Sequence, residues 1–308
     1  MTLSLLTALL PIALLIVLGA WLKRSQFLAD NFWAQAERLA YYVLLPSLFF
    51  HGLATAKLDG VPFQSMVSVL IVSTVVVSLM LVSARALITT NDAAFTSIFQ
   101  GGIRFNNYVG VSIAAGLFGV QGIALAAVAN AAIVPTVNIL CVLVFAKYGA
   151  GGRMPLSKVL KQLALNPLLL SCLAGGLIQV TGLGLPIGIE PVLKALGQAS
   201  LPLGLLCVGA ALEFGSMRQW LRPVGYSSLV KFLVMPLVTL GACQLFGLEG
   251  KAAIAALLFQ ALPTASSSYI MARQLGGDAP LMAGIIACQT LLAGVALPIV
   301  ILAVTQWV

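Results

Sequence analysis

Apolar residues run along this chain in blocks of roughly 20, the length that carries a helix across a bilayer, and short polar joints separate them. Ten blocks are read, at about 3–22, 35–55, 62–84, 93–117, 121–146, 163–181, 191–212, 225–246, 250–273 and 279–305. The expected fold is an all-α integral membrane protein of ten transmembrane helices. Two blocks differ from the rest. Block four contains FQGGIRFNNYVGVSIAAGLFG, with Gly101-Gly102 ahead of Arg104, Asn106 and Asn107; block nine contains LLFQALPTASSSYIMARQLGG, with Pro263 ahead of Thr264 and Ser266–Ser268. Glycine weakens a helix by about 1 kcal/mol and proline by about 3. Inside lipid the backbone groups they free need partners or water, which a cavity supplies.

Composition strengthens the membrane reading. Of 308 residues, 61% are hydrophobic and 8% charged, with a mean hydropathy of +1.09, far from a soluble globular chain. The net charge of +8 raises nucleic acid as a partner, but the placement of the charges excludes it. Alternate joints put Lys23, Arg24, Arg38, Arg85, Lys147, Arg153, Lys158, Lys161, Arg218 and Arg222 on one side, and only Lys57, Lys194 and Lys251 on the other. By the positive-inside rule the basic side is cytoplasmic, and an even number of spans leaves both termini outside. The first block lacks a basic n-region and a small-residue cleavage site and is read as a span, not a signal peptide. Cys141, Cys172, Cys207, Cys243 and Cys288 are scattered through apolar blocks and offer neither a disulfide framework nor metal spacing.

The basic joint KYGAGGRMPLSKVLKQ divides the chain into a first repeat of five spans (1–147), a cytoplasmic connecting loop (148–162) and a second repeat (163–308). Five is odd, so the second repeat enters the membrane from the opposite face, as an inverted repeat. Ordered echoes support it: Leu45-Pro46 with Leu201-Pro202, Phe99-Gln100 with Phe259-Gln260, Tyr108 with Tyr269, and Pro135 with Pro298. The interrupted spans four and nine then occupy corresponding places in the two halves, which points to a midplane binding site between them.

Intramembrane ionisable residues are functional candidates by default. Arg104, Lys231 and Arg273 lie within blocks, whereas Asp30, Glu37, Asp59, Asp92, Glu190, Glu213, Glu249 and Asp278 fall at block ends or in joints. Internal cations without internal carboxylates suit an anionic substrate, and arginine presents a planar fork that matches a carboxylate. The alternative for Arg104 is pairing with Asp92 or a backbone carbonyl, or snorkelling to the interface. Asn106, Asn107, Pro263, Thr264, Ser266, Ser267 and Ser268 are the expected substrate-binding companions; helix-to-helix bonding and repair of the broken backbone are the alternatives. A surrounding layer is drawn from Gln100, Tyr108, Asn130, Asn138, Lys231, Gln260, Tyr269 and Gln289. Lys231 is a candidate for lining the path or releasing a proton, and His51 for a structural or a proton-coupling role. No catalytic motif, metal cluster or cofactor signature is present, so an enzyme is not expected.

RFNNYVGVSIAAGLFG, NPLLLSCLAGG (166–176), ASLPLGLLCVGAAL (199–212), LVKFLVMPLV (229–238) and LPTASSSYIMARQLGGDAPLMAGIIACQTLLAGVALPIV (262–300) together resemble the auxin efflux carrier family of bacterial transporters. Its relatives are the plant PIN-formed carriers and proteins proposed to be malonate transporters. The resemblance implies a scaffold from spans 1, 2, 6 and 7 and a transport domain from spans 3–5 and 8–10. Spans four and nine would cross at the substrate site, with the crossover asparagine at Asn106 or Asn107 and the crossover proline at Pro263. Span four carries glycines and Arg104 where the plant carriers have a proline. The implied function is alternating-access transport of a small mono- or dicarboxylate in the inner membrane, by a homodimer. Both uniport driven by the membrane potential and proton exchange are open, and a non-transporting carboxylate receptor is the rival.

Overall fold

The fold is described from a computed structural model over residues 2–55, 62–88, 91–149, 155–210 and 217–305. Lys57, Asp59, Arg153 and Glu213, and the side chains of Tyr108 and Arg218, lie outside the described residues. Helices account for the regular structure, with no strand among the described residues. In chain order they are α1 (Thr2–Arg24), α2 (Asp30–Leu39), α3 (Leu45–Ala54), α4 (Phe63–Ser83), α5 (Arg85–Ile88), α6 (Asp92–Ile103) and α7 (Asn107–Tyr148). There follow α8 (Leu156–Ala164), α9 (Pro167–Thr181), α10 (Ile189–Ala210), α11 (Met217–Leu229), α12 (Met235–Phe246), α13 (Gly250–Ala261), α14 (Ser266–Leu275) and α15 (Ala279–Thr305).

Among the described residues five stretches are helical, long and apolar enough to cross a membrane: Phe63–Ser83, Gln121–Tyr148, Ile189–Ala210, Trp220–Phe246 and Ala279–Val300. A sixth is the pair α13 and α14, bent by 47° at the break between them. That is fewer than the ten blocks read in sequence, in part because some of the other helices are short or interrupted. α9 has 15 residues, and the fourth block is split between α6 and α7. The expected loop 148–162 is also corrected. Residues from Leu156 onward form α8, whose apolar positions recur at helical spacing opposite Lys158 and Lys161.

Several local features follow from residue type. π-helical turns at Ala40–Leu44 and Val230–Val234 run directly into Leu45-Pro46 and Met235-Pro236. Proline lacks an N–H and its ring presses on the carbonyl one turn back, and a widened turn relieves both. α7 is broken at Gly119, whose φ of 58° and ψ of −133° lie outside the helical region and are open to glycine at little cost. The chain turns there from the second part of block four into block five. Asn166 caps α9, its Oδ1 accepting from the N–H groups of Leu168 (2.9 Å) and Leu169 (3.2 Å), while its Nδ2 donates to Tyr41 Oη (3.2 Å). Asn166→Ala is therefore expected to lower stability by about 1–2 kcal/mol, read as an earlier thermal unfolding of the purified protein.

α1 packs on α10, and α3 on α9 and α10, while α4 packs on α7 and α12, and α13 on α7, α12 and α15. At one end Arg85 pairs with Asp92 and lies 4.9 Å from the Tyr148 ring, and Lys147 approaches the same ring at 5.0 Å. The basic joints after α4 and α7 thus share one end of the bundle.

Candidate functional site

Both breaks have sequence causes. In block nine Pro263 pushes Leu262 into an extended conformation (φ −63°, ψ 146°), so α13 stops and α14 restarts at Ser266. In block four the helix does not stop at the glycines, as the sequence led us to expect. α6 continues through Gly101-Gly102 to Ile103, and the extended backbone begins at Arg104 (φ −79°, ψ 158°). Asn106 then caps α7, its Oδ1 accepting from Val109 N–H at 3.4 Å. The glycines serve packing instead: a Cβ on Gly101 would lie 2.1 Å from Ser227 Oγ.

The two breaks meet, and each satisfies groups freed by the other. Asn106 N–H donates to the Pro263 carbonyl at 2.8 Å. Gln289 bridges them: its Oε1 accepts from Thr264 N–H (3.0 Å), and its Nε2 donates to the Gly101 carbonyl (3.1 Å) and to Ser227 Oγ (3.1 Å). The Gln260 carbonyl, at the end of α13, receives Lys231 Nζ at 3.4 Å, and the Gln260 amide donates to Leu70 O, Ser73 Oγ and Thr74 Oγ1. Thus the irregular backbone is tied inside protein, as the bilayer interior requires.

Arg104 is 3% exposed. Its Nη1 donates to Asn138 Oδ1 (2.8 Å) and approaches Met271 Sδ (3.6 Å) and Cys141 Sγ (3.9 Å), and its Nη2 donates to Ser267 Oγ (2.9 Å). Among the described residues no carboxylate pairs with it. Asp92, the alternative partner, holds Arg85 instead. Arg104 Nε, Asn138 Nδ2 and Asn107 Oδ1 are buried without a partner. A buried guanidinium held only by neutral groups carries an uncompensated desolvation cost, which an anion would offset. The N-terminus of α14 adds to the positive polarity, because Ala265 at its N-cap has no side chain to cap it.

These groups line a cavity of about 40 Å³, together with Asn106, Ser266, Leu45, Phe49, Ser200 and Leu201. A water needs about 10–15 Å³ measured this way, so the hollow holds two or three waters and must widen to admit an organic anion. Of the residues expected at the site, Arg104, Asn106, Asn107, Ser266, Ser267 and Asn138 line it. Pro263 offers its carbonyl to Asn106, and Thr264 and Ser268 bond each other at 2.9 Å. Gln260 and Gln289 bind the breaks, and Gln100 directs Nε2 at Met282 Sδ, 4.0 Å away. Asn130 is outside the lining, with Oδ1 buried and unpartnered. Lys231 is fully buried behind the crossing.

One correction concerns charge. Glu37, read as a block-end residue, is 4% exposed and holds both Tyr269 and Arg273, so these two do not face the crossing cavity. His51, read for a structural or a proton-coupling role, lies 3.7 Å from Glu190 of α10. Sequence reasoning missed the apolar wall of α3 and α10. Its signal was present, because Leu45 and Leu201 are the leucines of the two matched Leu-Pro pairs.

The chain is similar to known transport proteins. A protein of Methanothermobacter thermautotrophicus named "Uncharacterized transporter" is 24% identical over 293 residues, covering 94% of this chain and 95% of that protein. A Rhizobium meliloti protein named "Putative malonate transporter" is 23% identical over 251 residues, covering 76% and 75%. The family described as "Membrane transport protein" matches residues 4–301. This chain, an integral multi-pass membrane protein, therefore belongs to the membrane transport protein family, the auxin efflux carrier group that its sequence resembles.

Proposed function

We propose that the protein is a secondary carrier of a small organic anion, a mono- or dicarboxylate of the malonate type, working by alternating access. The observation that carries this reading is Arg104: a buried cation with no carboxylate partner among the described residues, beside an uncapped helix N-terminus where two broken helices cross. Its Nη2 donates to Ser267, so the solute carboxylate would meet the fork through Nε or by displacing a neutral partner. Asn107, Asn138 and Ser266 orient it. The name of the Rhizobium relative supports malonate as the first solute to try.

In this reading ten spans form a five-plus-five inverted repeat. α1–α3 with α8–α10 form the scaffold, and α4–α7 with α11–α15 the moving part. The packing of α1 and α3 against α9 and α10 supports the division. So does the cavity, which takes its apolar wall from α3 and α10 and its polar wall from α6, α7 and α14. A hollow of about 40 Å³ corresponds to a closed state, from which sliding of the two parts exposes the site to either side. The basic joints face the cytoplasm of a cell whose inner membrane holds the protein, as a dimer through the scaffold.

Counterflow of labelled malonate into proteoliposomes loaded with unlabelled malonate tests the reading. Saturable exchange is expected, with competition by other small carboxylates and none by cations. Malonate binding without exchange would instead assign the chain to the receptor class.

A further inference from the structure

Beyond the crossing, α14 presents a second polar face. Tyr269 and Arg273 follow Ser266 by one and two turns and line a separate cavity of about 160 Å³, bounded by α1, α2, α10 and α14. Tyr269 Oη donates to Glu37 Oε1 at 2.7 Å, and Arg273 Nε donates to Glu37 Oε2 at 3.0 Å. One carboxylate is thus gripped at both oxygens, by a phenol and a guanidinium, with only 5% of its side chain exposed. Phenol and guanidinium together match a carboxylate, and here both are taken by the chain's own. Two more features point to an anion. Trp33, which lines the cavity at 5% exposure, has a buried indole N–H with no partner, and an indole N–H only donates. Lys23 stands on the same wall, paired with Asp30, whose side chain is 85% exposed and can turn to water.

We propose that this cavity is an access site for the same class of carboxylate, held shut by Glu37. An incoming solute carboxylate takes Arg273 and Tyr269 from Glu37, and Lys23 leaves Asp30 to neutralise the displaced Glu37. Because Tyr269 and Arg273 belong to α14 and Glu37 to α2, the same exchange unties the crossing helix from the scaffold. Arg273 lies seven residues from Ser266, about 10 Å along the helix, so the site is a way station before the central hollow. The inference rests on the carrier reading of the crossing and adds a second place where the anion binds.

Cys207 lines this cavity at 1% exposure, so a thiol reagent reaches it only when the cavity opens, and its modification reports that opening. Its modification by N-ethylmaleimide in the purified full-length protein can be followed by peptide mass spectrometry. Malonate is expected to slow Cys207 modification in the wild type, by occupying the cavity. In Glu37→Gln, modification without malonate should be faster, and protection should need about tenfold less malonate, because the internal competitor no longer reduces the competent fraction. Protection should persist in Arg104→Ala and vanish in Arg273→Ala. Persistence in Arg104→Ala separates this site from the central one: loss of transport in that variant with protection intact supports both readings. Absence of malonate protection in the wild type overturns the access site, whatever the variants do. Protection that disappears in Arg104→Ala also overturns it, by assigning the effect to the crossing.

Discussion

Arg104→Ala is expected to abolish most malonate exchange while leaving the protein folded. Truncating one partner of a buried, hydrogen-bonded charge pair costs about 2–5 kcal/mol, which in rate or affinity is a fall of roughly 30-fold or more. The partner lost is the bound solute, so the penalty falls on the loaded state. In the empty state the change removes a cation that only Asn138, Ser267 and two sulfur atoms hold. Losing that ion relieves its uncompensated desolvation, and Asn138 and Ser267, which line the hollow, can bond water in its place. Thermal unfolding without malonate should therefore remain close to wild type, and the stabilisation that malonate confers on the wild type should be lost. Arg104→Lys keeps the charge but not the planar fork, and should fall between the two. Wild-type exchange by Arg104→Ala would remove this residue from the substrate's path.

Gln289→Ala should produce the opposite pattern, a loss of stability that precedes any question of substrate. Gln289 supplies the acceptor for Thr264 N–H and a donor for the Gly101 carbonyl, and both groups are orphaned by the broken helices. Leaving a buried polar group unsatisfied costs about 1–3 kcal/mol, and here two are exposed together in the molecule's interior. A clearly earlier thermal unfolding is expected, larger than for Arg104→Ala and unrelieved by malonate. Gln289→Glu retains the acceptor for Thr264 but not the amide donor, and places an anion where Gly101 and Thr264 have no charge to meet it. It should be no more stable than the alanine variant. If both variants unfold with the wild type, the bridge between the breaks is dispensable.

The two experiments separate binding from architecture because the two side chains spend their polar atoms differently. Every hydrogen-bonding atom of Gln289 is taken up by protein. Arg104, by contrast, keeps Nε unpaired, and its neighbours Asn107 and Asn138 each keep one buried atom unpaired. Saturated polar groups hold a fold together, and unsaturated ones beside a hollow are available to a solute.

Much of this was written in the chain. Blocks of membrane-spanning length, the polar interruptions of blocks four and nine and the recurring Leu-Pro pairs are local or additive properties, and they identified an all-helical membrane protein with paired breaks. Pro263 dictates its break by sterics alone, so its position was legible. Gly101-Gly102 misled because glycine only weakens a helix; here the two stay helical, Gly101 leaves room for Ser227, and the break falls at Arg104. Composition and order along the chain thus established the class of protein and pointed to the two interrupted segments. Tertiary packing decided partners: that Asn106 meets Pro263 through backbone, that Gln289 joins both breaks, and that Glu37, thirty-odd positions into the chain by number, is the anion for Arg273. The physical reason is range. Helix formation and partition into a bilayer are sums over neighbouring residues, whereas the fate of a buried charge depends on which distant side chain the fold brings within about 3 Å of it.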